Sequence, residues 1–181
     1  MEHLAKFLIE NRIINEEDKP LYLYGFHQLC FLVLNVLTTI IIGISSQKLP
    51  ECITFLLFYI PLRSFSGGYH AKTEFMCYIL SSAILCVTLF ICTLQLTYSQ
   101  LIILLIGATI IVILLSPVVS QNKPLRGNEY KRYRIRSISI QILYFAIVFG
   151  LICIGKKEVV KIIVITDVII SSLLIGGCFF N

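Results

Sequence analysis

Along most of this chain apolar residues come in unbroken runs, with no polar face at any helical or strand period. A segment that is hydrophobic all round is buried in a large core or lies in a bilayer. The first run covers about 21–44 and stops at Gly43-Ile44, before Ser45-Ser46-Gln47. The second, Cys52–Leu62, holds 11 residues and is interrupted by Pro61. As a helix it spans about 16 Å, against about 30 Å of hydrocarbon, so it crosses only if Arg63–Tyr69 also enters the membrane region. Phe75–Leu96, Leu101–Val119, Ile138–Ile154 and Ile162–Phe180 are the third to sixth runs; the last contains Asp167. Residues 1–19 differ, with Leu4, Phe7, Leu8 and Ile14 near one helical face and Lys6 and Glu10 opposite. That pattern predicts a short amphipathic helix lying in the interface. The expectation is an all-α polytopic integral membrane protein of about six transmembrane helices behind an N-terminal interfacial helix, one membrane-embedded domain over 1–181. The late first run, with no A-x-A site after it, predicts no cleavable signal peptide.

Composition agrees. Of 181 residues 57% are hydrophobic and 14% charged, where soluble domains have about 45–50% and about 25%. This excludes a soluble enzyme, a secreted disulfide scaffold and a disordered regulator. The net charge of +5 resides in residues 121–137, where Lys123, Arg126, Lys131, Arg132, Arg134 and Arg136 face only Glu129. Between two apolar spans, such a run reads as a basic cytoplasmic loop, 120–137, facing anionic lipid rather than nucleic acid. Six spans put the N-terminus, the 63–74 and 120–137 segments and the C-terminus on one side, with 11 Lys and Arg; the other side has 4, namely Lys48, Lys156, Lys157 and Lys161. The positive-inside rule makes the first side cytoplasmic. The Lys156–Lys161 stretch, basic yet placed outside, is the point of tension.

Candidate chemistry lies in the polar island between the second and third runs, residues 63–77, which holds Arg63, Gly67-Gly68, His70, Thr73, Glu74 and Cys77. A cysteine nucleophile needs a base, and histidine is the usual one. On one continuous helix His70 and Cys77 share a face but lie about 10 Å apart along the axis. Pairing therefore requires a break between them. Gly67-Gly68 permits irregular backbone, and Thr73 suits the N-cap of a helix beginning near Glu74. Cys77 then falls in the first turn, where a helix start favours thiolate and offers amides to an oxyanion. By spacing alone, Cys77 reads as packing more readily than as catalysis, His70 as structural, and Arg63 as an anchor snorkelling to headgroups. The other six cysteines lie in apolar runs and read as small hydrophobes. None of the three histidines has metal-ligand spacing, so no metal or cofactor is expected.

The pattern Arg63-x4-Gly68-x-His70-Ala71-x5-Cys77 after a short apolar run closely resembles the AgrB family of bacterial membrane peptidases. The chain length, the multiple spans and Asn122-Lys123-Pro124-Leu125 after Pro117 are similar too. The resemblance implies a cysteine peptidase of the bacterial cell membrane, with its active site toward the cytoplasm, acting on an AgrD-type precursor of a cyclic quorum-sensing peptide. His70 and Cys77 fall on the family's catalytic pair, and Arg63 and Gly68 on its other motif positions. His70 would deprotonate Cys77, and the thiolate would release the precursor's acidic tail. The resulting thioester would be closed into a thiolactone or lactone. The resemblance also implies a homodimer.

An acidic tail makes Lys123, Arg126, Lys131 and Arg132 candidate substrate contacts, beside their reading as topology determinants. For a third catalytic residue Glu74 is nearest in sequence, and Asp167 is an intramembrane acid, functional by default. His27, Gln28 and Asn35 could line the site or join helices. The competing readings are a non-proteolytic peptide transporter or exporter, and a membrane scaffold; loss of activity on Cys77→Ser separates both from a peptidase. No GxxxxGK[ST] motif is present, so no nucleotide drives the reaction within this chain.

Overall fold

A computed structural model describes residues 7, 9, 11, 13–69, 73–119 and 127–180, without the side chains of 21, 24, 28, 74 and 180. Among them the chain is helical, as the runs predict. The helices are α1 (Lys19–Ser45), α2 (Leu49–Ser66), α3 (Glu74–Ile91), α4 (Tyr98–Leu115), α5 (Asn128–Cys153) and α6 (Lys157–Phe180). The chain divides into two units, Met1–Thr38 and Thr39–Asn181. In the first unit Phe7 and Ile9 are helical, the Asn11 amide donates to the Phe7 carbonyl at 3.1 Å, and Glu16–Asp18 form a 3-10 turn ahead of α1. Residues 13–15 are not helical, and positions 1–6, 8, 10 and 12 of the proposed interfacial helix lie outside the described residues. Asn35 donates to the Phe31 carbonyl of its own helix at 2.9 Å, and His27 is on an exposed part of α1.

Among the described residues four helices are long and apolar enough to cross a membrane: α1 over Gly25–Ser45, α4, α5, and α6 over Lys157–Phe179. The apolar part of α3, Phe75–Ile91, is shorter. Helix α2 exceeds the expected Cys52–Leu62. Its 18 residues run through Pro61 to Ser66 and cover about 27 Å. Proline is tolerated inside membrane helices because neighbours satisfy the freed carbonyl.

In the second unit α6 is the central helix, packed against α2, α3, α4 and α5. Of its apolar stretch 56% is buried, against 22% for α4 and for α5. Leu101, Leu105, Val148, Val160, Ile163 and Val164 join α4, α5 and α6. Cys52, Phe55, Leu85, Leu89 and Ile162 join α2, α3 and α6. Leu62, Val112, Tyr144, Ile170 and Leu174 join α2, α4, α5 and α6. Helix α4 shows how the bundle meets its surroundings. Leu101, Leu105, Ala108 and Val112 form one buried stripe, while Ile103 and Leu114 on the outer face are 69% and 68% exposed. With no polar face, that surface suits lipid rather than water.

Part of the basic segment is helical. Residues 128–137 form the first turns of α5, which starts after Gly127 at φ +46°. Lys131 and Arg132 are therefore helical and exposed. Their long side chains carry charge away from the apolar run that the same helix enters at Ile138. At the other end of the bundle, two of the lysines counted on the less basic side are engaged by the protein. Lys161 is buried and paired with Glu158 at 2.7 Å, and Lys157 lies 5.7 Å from the Tyr98 ring centroid.

Candidate active site

The island at 63–77 comprises the end of α2, a linking segment from Gly67 to Thr73, and the first turn of α3. The required break between the two candidate residues is thus present. His70, with Ala71 and Lys72, lies outside the described residues, as do Lys123 and Arg126. The remaining candidates, Arg63, Gly68, Cys77, Lys131 and Arg132, have definite places.

Arg63 stands on the last turn of α2, half-buried. Its guanidinium donates to the carbonyls of Gly67 and Tyr69. It is neither an anchor reaching for headgroups nor a free cation. It ties the linking segment back onto the helix that the segment has just left. The planar fork of donors suits arginine to two carbonyls at once. The Tyr59 hydroxyl, one turn earlier, lies near enough to both Arg63 and Cys77 to interact with them electrostatically. Tyr59 stacks on Phe55, with centroids 4.9 Å apart. No motif marks Tyr59 in the sequence. The available signal is its i−4 spacing from Arg63, which puts both on one face of α2.

The two glycines carry the chain through a narrow passage. Gly67 has φ +71° and Gly68 φ +120°, values that side chains with a Cβ rarely adopt. A Cβ on Gly67 would fall on the Val118 carbonyl oxygen, and one on Gly68 would lie 3.0 Å from the Leu173 carbonyl oxygen. Backbone contacts line both sides. The Val118 amide donates to the Ser66 carbonyl at 2.9 Å, just after the cis Ser116–Pro117 bond, and the Tyr69 amide donates to the Leu173 carbonyl of α6 at 2.8 Å. From α6, Gly177 makes room: a Cβ there would sit 2.6 Å from both the Gly68 carbonyl carbon and the Tyr69 nitrogen. Sequence reasoning left Gly177, Leu173 and Val118 unmarked, because backbone-to-backbone contact over so many residues has no local pattern.

Thr73 caps α3 as expected: its hydroxyl accepts from the Met76 amide at 3.2 Å. Its carbonyl accepts from the Cys77 amide at 3.0 Å, which places Cys77 at the close of the first turn, half-buried. The Cys77 carbonyl in turn accepts from the Ser81 hydroxyl at 2.9 Å. All seven cysteines are free thiols.

The basic turns of α5 stand at this same end. Arg136 lies 5.3 Å from the centroid of the Phe65 ring, and Tyr133 meets that ring edge-on at 5.5 Å. Phe65 is on the last turn of α2, so Arg136 of α5 stands beside the helix end from which the linking segment leaves. Asp167 is elsewhere. It is buried on α6, where it accepts from the Gln141 amide at 2.7 Å. Among the described residues no three His, Cys, Asp or Glu side chains gather as metal ligands.

The ends of α2, α4 and α6 thus meet around the Gly67-Gly68 backbone, the start of α5 stands beside the end of α2, and the capped first turn of α3 follows the linking segment. Comparison with known proteins gives the same direction. The AgrB family, Accessory gene regulator B, matches residues 1–175. An AgrB-like protein of Clostridium perfringens (strain SM101 / Type A) is 30% identical over 156 residues, covering 79% of this chain and 72% of its own. A second AgrB-like protein, from Clostridium perfringens (strain 13 / Type A), is 26% identical over the same shares. Both relatives are named for their likeness to AgrB. No solved structure matches. The chain belongs to the AgrB family.

Proposed function

We propose that this protein is a membrane cysteine endopeptidase that removes the C-terminal tail of an AgrD-type precursor and holds the rest as a thioester for ring closure. The observation that carries the reading is the arrangement around Cys77. Arg63 fastens the Gly67–Tyr69 backbone, Thr73 fixes the start of α3, and Cys77 ends its first turn. A site held by rigid elements on both sides is what a nucleophile and its base need.

In the proposed reaction, His70 takes the Cys77 thiol proton and the sulfur attacks the carbonyl carbon of the scissile peptide bond. The carbon–nitrogen bond breaks, the proton on His70 passes to the leaving amine, and the acidic tail departs. Thr73 engages the amides of Met76 and Cys77. The amides of Glu74 and Phe75, the first of the helix, are the donors assigned to the oxyanion. A cysteine or serine of the precursor then attacks the thioester carbon, and Cys77 leaves as a thiol. Keeping the acyl group on sulfur retains activation that a hydrolysed carboxylate would have lost. The cations of the basic stretch, Lys123, Arg126, Lys131, Arg132 and Arg136, are proposed to attract the acidic tail. The active site then faces the cytoplasm, where the positive-inside rule puts these charges, and the working unit is a homodimer.

The test is a precursor whose ring-forming nucleophile is replaced by Ala. It should still lose its tail and leave a hydroxylamine-sensitive adduct on wild-type protein, and leave none on Cys77→Ala. Tail release with no such adduct under any quench would refute the thioester. Unimpaired cleavage by Cys77→Ala would refute cysteine catalysis altogether.

A further inference from the structure

Away from the passage, a polar cluster lies sealed where α4, α5 and α6 meet. Gln141 of α5 and Asp167 of α6 are 0% and 1% exposed. The Gln141 amide nitrogen donates to Asp167 Oδ2 at 2.7 Å and to Thr109 Oγ1 of α4 at 2.9 Å. Both hydrogens of that nitrogen are thereby used. Two oxygens remain: Gln141 Oε1 and Asp167 Oδ1 are buried and have no hydrogen-bond partner among the described residues. Buried polar atoms in folded proteins nearly always have one. No cation stands within ion-pair distance of Asp167 among the described residues. Lys161 of α6 is paired with Glu158, and Arg63 of α2 serves the carbonyls of Gly67 and Tyr69. The titratable side chain that faces Asp167 is Tyr144 of α5, whose hydroxyl donates to the Phe58 carbonyl at 2.8 Å. Thr109, the contribution of α4, carries no charge.

The unmatched atoms are two acceptors on facing groups, and what they lack is one donor. We propose that Asp167 is a proton-binding site, a neutral carboxylic acid that forms a cyclic pair with the Gln141 side-chain amide. In it the amide nitrogen donates to Oδ2, and the proton on Oδ1 is donated to Oε1. One proton gives partners to both oxygens. An ionised Asp167 would instead be a charge inside an apolar bundle, held by a single neutral donor, and charges are buried only when paired. The pair joins α5 to α6 about 9 Å along the axis from Leu173, whose carbonyl holds Tyr69. It fixes the helix against which the linking segment lies, and it leaves Asp167 without a part in the cysteine chemistry. The inference does not depend on the peptidase reading.

The chain has only two aspartates, Asp18 and Asp167, so the experiment can be made residue-specific. The full-length Asp18→Asn protein is reconstituted in lipid with heavy carbon in the aspartate side-chain carboxyl, and its infrared spectrum is recorded at neutral pH. A label-shifted carbonyl stretch of a protonated acid, moving again in heavy water, is expected. Label found only in the carboxylate bands overturns the proposal. The amide in Asp167→Asn can reproduce both hydrogen bonds, so that variant should keep the wild-type melting temperature and folded yield. Failure of Asp167→Asn to fold overturns the neutral pair. So does a melting temperature that rises with sodium but not potassium, which would put a metal cation between the two oxygens.

Discussion

At Arg63 one side chain closes the end of α2 over the segment that follows it, because a guanidinium can serve the Gly67 and Tyr69 carbonyls together. Lysine cannot do this from the same position. Hydrogen bonds from a charged donor contribute about 1.5–3 kcal/mol each. Arg63→Ala should therefore lower precursor cleavage by at least about tenfold, with Arg63→Lys only partly restoring it. The loss should appear mainly in kcat, and limited proteolysis should cut near Tyr69 faster; unchanged kcat in Arg63→Ala would show the clamp to be dispensable. Of the seven cysteines, Cys77 alone is expected to be needed. Ala at the six others should leave cleavage within a few-fold, with Cys52, at 1% exposure, showing a packing loss. Thr73 and Cys77 were legible at this scale because an N-cap and a first turn are local matters. The role of Arg63 was not, since an anchor, a substrate contact and a backbone clamp share one sequence signature.

Between elements, the decisive contact is that of α6 with the linking segment. Replacing a helical glycine by alanine ordinarily stabilises a helix by about 1 kcal/mol. At Gly177 the new methyl would meet the Gly68 and Tyr69 backbone at 2.6 Å, whereas at Gly176 it would meet only the Tyr69 Cβ at 3.8 Å. Gly177→Ala should therefore abolish or strongly depress precursor cleavage while helical content is retained. Gly176→Ala should be near wild type, and equal activity of the two would remove the passage from the explanation. The cap at Thr73 gives a second check. Thr73→Ala should destabilise α3 by about 1 kcal/mol and slow alkylation of Cys77 relative to Thr73→Ser, as read by the rate of thiol labelling. The helical start of α5 shows why element boundaries resist sequence reading. Charged residues 128–137 look like a loop beside an apolar run, yet the helix continues through them because their side chains reach away from it.

On the scale of the molecule, the ends of α2 and α4 and the starts of α3 and α5 meet at one end of the second unit. The 63–74 and 120–137 segments, both counted on the side with 11 positive residues, adjoin those helix ends. With other reactive cysteines removed, Gln121→Cys should be labelled only from the cytoplasm and Gln47→Cys only from outside. Labelling of Gln121→Cys from outside intact cells would reverse the orientation.

The sequence by itself determined the membrane class, the helical fold and the segment where chemistry is sought. Each of these depends on residues near one another in the chain: runs of apolar side chains, a glycine pair, a cap before a cysteine. Only the tertiary structure decided that α6 is the central helix, that Leu173, Gly177 and Val118 enclose the glycine passage, and that Asp167 faces Gln141 rather than the cysteine. Those outcomes join residues up to about a hundred positions apart. They are set by which faces of nearly uniform apolar helices pack together. On such faces lipid and protein neighbours favour the same side chains, so hydropathy cannot tell the inner face from the outer.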